Sequence, residues 1–351
     1  MMGQGRPGGS MTVTISATSS HCLSWDADSP RWLKSSWPGM ANVARSAGDQ
    51  RRGGTGTAAQ CLGLGDGTRV ARHDGRDRWV AKSVAPPLAE SLAQGLQVSR
   101  FLDDSGIAAG APVPALTGSV TADAAFGDRM ALLTWVPGTP LTGNGESERR
   151  LIGATLARVH RVLRDRDVPG GQRFDWVNPA APHLGLRSWI RPAVGAAVDA
   201  LDAFRRQVPG WPEGLLHADP APEAFRYDRA TGSCGIIDWS SALHGPLLCD
   251  LASAVMYLGG PDRAAAMTDA HQAAGLLFRQ EITDGLPVML RFRWAVQADY
   301  FAWRVISNDL TGITGPEENE KGLEDARLFL AADALNTTAA APQVRAQERS
   351  V

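Results

Sequence analysis

Residues 215–257, LLHADPAPEAFRYDRATGSCGIIDWSSALHGPLLCDLASAVMY, decide the fold of this chain. Leu215 and Leu216 carry the backbone into His217-Ala218-Asp219, and Pro220 and Pro222 then forbid a helix, so the segment reads as a rigid loop bearing a carboxylate. Ala224 to Tyr227 and Gly235 to Trp239 flank a turn over Asp228 to Ser233 that contains Gly232, and together they read as a β-hairpin. Burying Ile236 and Ile237 leaves Asp238 at the exit of the second strand, beside the loop of Asp219. Two carboxylates nineteen residues apart in sequence are therefore expected at one cleft.

Outward from this stretch, the chain is ordinary in bulk. Its 351 residues are enough for two lobes with separate cores, and 44% hydrophobic residues place it among globular proteins. A formal net charge of -2 gives no electrostatic case for nucleic acid or acidic membranes as partners. Basic residues are almost all Arg; Lys occurs only at positions 34, 82 and 321, which singles out a lysine placed inside a strand. Cys22, Cys61, Cys234 and Cys249 are too far apart for metal-ligand spacing and read as reduced thiols. The opening MMGQGRPGGS lacks the apolar core of a signal peptide, and no run of about 18 apolar residues occurs, so a cytoplasmic protein without a membrane span is expected.

Residues 1–56 show neither period two nor period 3.6 and are expected to form a disordered extension. From Thr57 three strands follow: Ala58 to Leu62, Thr68 to Arg72, and Arg78 to Val84 with Lys82. The turn between the first two, Gly63-Leu64-Gly65-Asp66-Gly67, is rich in glycine. A Gly-x-Gly-x-Gly run by itself marks any loop, but this one lies two turns ahead of Val-Ala-Lys82. Pro86 and Pro87 end the third strand, and Leu88 to Leu102 reads as a helix. Val113 to Val120 and Met130 to Val136 read as strands, the latter stopped by Pro137-Gly138. Glu148 to Leu163 is amphipathic, with Leu151, Ile152, Leu156, Val159 and Leu163 on one face. One more helix is expected near Pro192 to Arg206. A turn is expected at Gly245-Pro246, followed by helices over Leu251 to Leu258, Asp262 to Arg279, Val288 to Ile306 and Gly322 to Asn336, before a frayed tail over 337–351. Trp176, Trp189 and Trp211, and the aromatic helix from Val288, offer walls for a pocket, although aromatic residues more often fill cores.

His217-x-Asp219, the hairpin, Ile-Ile-Asp238-Trp, Gly245-Pro246 and Asp250-Leu-Ala resemble the aminoglycoside phosphotransferase and choline kinase-like family of small-molecule kinases. The resemblance runs from Thr57 to Leu258. It implies an α+β, protein-kinase-like fold with a small antiparallel β lobe over 57–136 and a larger helical lobe over 137–336. It further implies ATP (or GTP) with Mg2+ as co-substrate, and a hydroxyl of a small-molecule acceptor as nucleophile. By this likeness Asp219 takes the hydroxyl proton, Asp238 holds the metal, and Lys82 and the backbone of Gly63, Gly65 and Gly67 meet the phosphates. The backbone of Thr134 to Val136 meets the nucleotide base, while His217 and Asp250 brace the loop; Asp250 also stands where it can cap its own helix. His160, at the end of its helix, reads as structural.

Two departures qualify the likeness. The fifth residue after Asp219, where the family has a metal-binding Asn, is Ala224, and the adjacent Glu223 is the available substitute. The helix after the lysine strand carries Glu90 in its first turn, where it reads as a dipole-favoured charge rather than the lysine's partner. These departures keep open a nucleotide-binding pseudokinase without turnover. A protein-binding adaptor with exposed Trp residues is a third reading, opposed by the absence of repeats. The kinase reading requires Asp219, Asp238 and Lys82 to converge around a nucleotide's triphosphate.

Overall fold

The computed structural model describes the backbone of residues 10–14, 21–26, 31–36, 62–63, 68–73 and 77–339, apart from 116, 125, 126, 209, 311, 312 and 314, with side chains from 78 to 331. Three strands, β1 (Ser10–Thr14), β2 (His21–Asp26) and β3 (Arg31–Ser36), form an antiparallel meander in which Trp25 pairs with Trp32. This differs from the expectation of no regular structure before Gly56. In His21–Asp26 the apolar Leu23 and Trp25 alternate with Ser24 and Asp26, a short period-two run of the kind a half-buried strand requires.

A second, five-stranded antiparallel sheet has the order β4-β5-β6-β8-β7. It comprises β4 (Leu62–Gly63), β5 (Thr68–His73), β6 (Asp77–Val84), β7 (Ala122–Asp123) and β8 (Arg129–Thr134). Lys82 pairs with Thr68 on one side and Ala131 on the other, so its strand lies at the centre of the sheet. Helix α1 (Ala89–Asp104) connects β6 to the far edge. The strand expected over Val113 to Val120 is replaced by isolated bridge residues, among them Pro112 paired with Leu133, and a turn closed by the Gly118 amide on the Ala115 carbonyl. Pro112 and Pro114 lack the N–H groups that a continuous ladder needs.

After β8 the chain passes Pro137-Gly138 and forms β9 (Thr139–Pro140), which adds to the hairpin of β11 (Phe225–Asp228) and β12 (Ser233–Ile236). Between them lie α2 (Glu146–Leu163), α3 (Ile190–Gln207) and β10 (Glu213–Leu216). Strand β10 pairs with β13 (Leu243–Pro246), so Gly245-Pro246 sits inside a strand and not at the expected turn. Gly245 has a close-packing reason: a Cβ there would lie 2.6 Å from the Phe174 ring. Helices α4 (Leu247–Tyr257), α5 (Pro261–Gln272), α6 (Arg279–Ser307) and α7 (Pro316–Ala339) complete the large lobe.

The large lobe has one continuous core in which Leu156, Leu163, Leu201, Leu251, Phe225 and Phe292 are buried. The aromatic residues proposed as pocket walls mostly belong to this packing. Phe292 meets Phe174 edge to face, Trp294 stacks on Phe329, and Trp211 lies against Phe204. Trp189 packs against the core, while Trp176 and Trp303 are exposed.

The small lobe docks on the large one chiefly through α1. Gly95, in the middle of that helix, faces the 3-10 turn Trp239–Ser241, and a Cβ built on it would lie 2.3 Å from the Trp239 carbonyl oxygen. Backbone meets backbone here, so neither side can yield by changing a rotamer. Gly95→Ala is expected to lower stability by about 1–3 kcal/mol through overpacking, outweighing the better helix propensity of Ala of about 1 kcal/mol. Urea denaturation of the two proteins checks this, and an unchanged or raised midpoint would mean that the helix can move away at no cost.

Candidate active site

The site is assembled by the β10–loop–β11–β12 segment and closed from above by β6 and α1. Strand β10 delivers His217, which is 1% exposed, and its Nε2 lies 2.8 Å from the Ile237 carbonyl oxygen. His217 also packs edge to face on Trp239. This one side chain ties the loop of Asp219 to the segment of Asp238, which is how the two carboxylates come to the same end of the hairpin.

Asp250 holds the loop from beneath. It is fully buried on α4, and its carboxylate accepts the His217 amide at 2.8 Å and the Ala218 amide at 2.7 Å. It caps no amide at the start of its own helix. The third partner is His160, at the C-terminal end of α2, with Nε2 at 3.1 Å from Asp250 and Nδ1 at 2.9 Å from Nε2 of His271 on α5. Burial opposes ionisation of Asp250, but the His160 hydrogen bond and charge, with His217, outweigh it and hold the carboxyl below its ordinary range.

Two residues in this region adopt left-handed backbone conformations, Ala218 at φ 67° and Asp238 at φ 70°. A non-glycine residue in this region is strained by about 1–3 kcal/mol and persists only where surrounding bonds enforce it. The Asp250–Ala218 bond supplies that enforcement at the first position.

Asp219 projects beyond the loop, exposed, and accepts a hydrogen bond from the Tyr257 hydroxyl. Burial and the neighbouring Asp219 charge push the Tyr257 phenol up, so it stays protonated as a donor. Tyr257 was not foreseen from the sequence, although the signal is present: it follows Asp250 by seven residues, two helical turns, and so shares its face of α4.

Lys82 and Asp238 meet directly, with Nζ 2.6 Å from Oδ1, and Ser240 accepts a second hydrogen bond from Nζ at 2.9 Å. Burial raises the Asp238 carboxyl, but the Lys82 ammonium, the Ser240 hydroxyl and His217 together hold it below its ordinary value. The lysine's partner is therefore Asp238 and not a glutamate of α1. Glu90 is exposed in the first turn of that helix, and Gln94 is turned away, donating to the Gly170 carbonyl at 3.0 Å. A small cavity lies behind the pair, lined by Lys82, Gly95, Leu96, Leu133, Asp238 and Ser240.

The expected open gap between Lys82 and Asp238 is thus replaced by an ion pair. Ser240 is the second residue missed in the sequence; two positions after an Asp, a Ser is placed to hydrogen-bond that carboxylate, as it does at 2.8 Å.

The remaining candidates are more scattered. Gly63 ends β4, whereas Gly65 and Gly67 lie outside the described residues. Thr134 ends β8 and its amide is already donated to the Ala111 carbonyl at 2.9 Å, so that group is not free for a base. Val136 is buried, and Trp135 between them lies under the guanidinium groups of Arg78 and Arg226. Ala224 is buried in the 3-10 turn Pro222–Ala224, with its carbonyl accepting the Ile237 amide, and Glu223 is exposed beside it. Among the described residues no group of three His, Cys, Asp or Glu side chains is placed to hold a metal ion. Asp238 fits a cation as a single protein ligand: its side chain is half exposed, and Oδ2 has no hydrogen-bond partner among the described residues. Magnesium commonly binds in that way, through one or two carboxylates completed by substrate phosphates and water.

A small antiparallel sheet with one helix, joined to a helical lobe that bears a loop carboxylate and a post-hairpin carboxylate paired with a strand lysine, defines a protein-kinase-like fold. The match is borne out at the level of family: residues 61–289 match the phosphotransferase enzyme family, and the chain belongs to it. Solved structures with the same fold include an aminopropanol kinase associated with a microcompartment, at 20% identity and TM-score 0.60 over 81% of this chain and 93% of that one. Another is the amicoumacin kinase hAmiN in complex with AMP-PNP, Ca2+ and Ami, at 16% identity and TM-score 0.58 over 78% and 88%. A third is a thermostable mutant of aminoglycoside phosphotransferase APH(4)-Ia, at 15% identity and TM-score 0.58 over 81% and 95%. No curated protein sequence matches the chain.

The buried histidine pair makes stability depend on pH. Burial and the neighbouring His160 push His271 down to about 3, whereas an unfolded histidine titrates near 6.5. Between those values the unfolded chain binds more protons than the folded one, so stability falls as pH falls through this window. Lowering the pH from 6.5 to 5 is expected to remove about 2 kcal/mol. Chemical denaturation across pH should show this slope, and His271→Asn should flatten it; an equal slope in the variant would assign it to other groups.

Proposed function

We propose that the protein transfers the γ-phosphoryl group of ATP or GTP to a hydroxyl of a small molecule. The observation that carries this reading is the placement of Asp219: it stands free of the bracing network yet one residue from backbone amides locked by Asp250. That is the arrangement a general base needs, an exposed proton acceptor on an immobile mount.

In the step itself the acceptor oxygen attacks the γ-phosphorus and its proton passes to Asp219. The bond from that phosphorus to the β–γ bridging oxygen breaks, and the nucleoside diphosphate leaves with the electron pair. Lys82 moves from Asp238 to the phosphate oxygens, trading one anion for another. Magnesium, held by Asp238 and the nucleotide, would neutralise charge on the β- and γ-phosphates. With Ala224 offering no ligand atom, Asp238 would be the main protein ligand to that ion, and Lys82 the protein's own positive charge at the phosphates. The pseudokinase reading draws on Ala224 and on the lack of a helix glutamate beside Lys82, and the exposed position of Asp219 favours turnover.

Asp219→Asn is expected to reduce phosphoryl transfer by about 10²–10⁴-fold while leaving nucleotide affinity within a few-fold of wild type. ADP release in the presence of pooled small hydroxylated compounds, paired with thermal-shift titration of ATP and Mg2+, measures both. Undiminished transfer in the variant would remove Asp219 as the base; nucleotide binding without any transfer in the wild type would favour the pseudokinase.

A further inference from the structure

Lys82 stands against a helix face that offers it no countercharge. Leu92, Gly95, Leu96 and Ser99 of α1 line the same small cavity as Lys82, and no carboxylate is among them. Leu92 and Leu96 are buried and apolar, and the buried Ser99 hydroxyl is donated to the Leu96 carbonyl at 3.0 Å. Among the described residues the ammonium has two acceptors, Asp238 at 2.6 Å and Ser240 at 2.9 Å. Asp238 is also the carboxylate fitted to a cation, and a carboxylate that turns to a metal ion gives up its ammonium. Ser240 is then the acceptor that remains.

The two acceptors are held differently. The Asp238 side chain is 51% exposed. Ser240 lies in the 3-10 turn Trp239–Ser241, which the Ala242 amide closes on the Trp239 carbonyl at 3.0 Å. Trp239 is buried with its indole N–H on the Ile236 carbonyl at 3.1 Å, and the Ser240 amide nitrogen lies 3.0 Å from where a Gly95 Cβ would stand. The turn is thus wedged between α1 and the end of the hairpin. Its hydroxyl accepts from Lys82 and donates to Asp238 at 2.8 Å. An ammonium carries three N–H donors, so the bond to Ser240 can persist while another N–H of Lys82 turns from the carboxylate to a second anion.

We infer that Ser240 is a positioning residue for Lys82, the pivot on which the ammonium turns from Asp238 to the nucleotide's phosphates, in place of a carboxylate on α1. This rests on the phosphotransferase reading of the same site and names how its cation is aimed. A carboxylate within bonding distance would offset the ammonium's field at the phosphates, whereas a hydroxyl aims the ammonium and leaves its charge whole.

Lysine labelling tests the hold of Ser240 without any nucleotide. The full-length protein is treated briefly with acetic anhydride at one fixed pH, and acetylation of Lys82 is read by mass spectrometry against Lys321, which is exposed on α7. Asp238→Gly removes the carboxylate and suits the left-handed backbone at that position. Ser240 should still shield Lys82 in that variant, and adding Ser240→Ala to it should speed labelling about fivefold, as the loss of one hydrogen bond to a charged group allows. Affinity for AMP-PNP with Mg2+, read by thermal-shift titration, tests the use of that hold. Ser240→Ala is expected to weaken it about tenfold, and Ser240→Thr, which keeps the hydroxyl, to stay within about twofold of the wild type. Without nucleotide Ser240→Ala should melt close to the wild type, because the Lys82–Asp238 pair remains, which separates lost aim from lost folding. The inference is overturned if Asp238→Gly alone frees Lys82 as fully as the double variant, if Ser240→Ala binds AMP-PNP like the wild type, or if Ser240→Thr loses as much affinity as Ser240→Ala. Should Asp238→Gly fail to fold, the affinities of the two Ser240 variants decide. A wild type that binds no AMP-PNP would sink the phosphotransferase reading, and the labelling ratio would still decide whether Ser240 holds Lys82.

Discussion

The bonds made by one buried carboxylate organise the large lobe. Asp250 is fully enclosed, yet three donors from two other parts of the chain converge on it, the amides of His217 and Ala218 and the ring of His160. An ion so placed is tolerable only when its oxygens are satisfied, and satisfying them locks α4 to α2 and both to the loop that ends β10. The strained backbone of Ala218 is the visible consequence. Asp219, one residue on, receives a fixed origin and an exposed side chain met by the Tyr257 hydroxyl, and the acid–base chemistry proposed for it depends on that mount.

The second constraint is the approach of the small lobe. In Gly95 the helix α1 has a residue without a side chain where it meets the backbone after Asp238, and this brings β6 and the post-hairpin turn close enough for Lys82 to bond Asp238 and Ser240 at once. A glutamate on α1 facing the lysine would serve the same electrostatic need in a different way. Here the cation proposed to bind phosphate is paired with the anion proposed to hold the metal. Under that proposal nucleotide and metal would have to displace the internal pair, and their binding would be coupled through it.

How much of this was legible depended on whether an element's role was local. The loop of Asp219, the hairpin, the lysine strand and the amphipathic α2 were readable because proline, glycine and apolar period state their own conformations without reference to distant residues. Val113 to Val120 was misread because two prolines outweighed β-propensity, and Gly245-Pro246 because a turn-like dipeptide was recruited into a strand by its partner β10. The aromatic residues of α6 suggested a pocket wall, whereas packing against Phe174 and Phe329 turned most of that face inward.

The sequence alone determined the pieces: a proline-stiffened loop with one acid, a hairpin ending in another, a lysine within a strand, and the family these pieces identify. Only the tertiary structure decided who meets whom. That Asp238 rather than a helix glutamate holds Lys82, and that Tyr257 holds Asp219, are facts about residues far apart in the chain. Local propensity is set by each residue's own backbone sterics and reads along the chain, but the free energy of a buried charge is set by whatever packs around it, which no linear pattern contains.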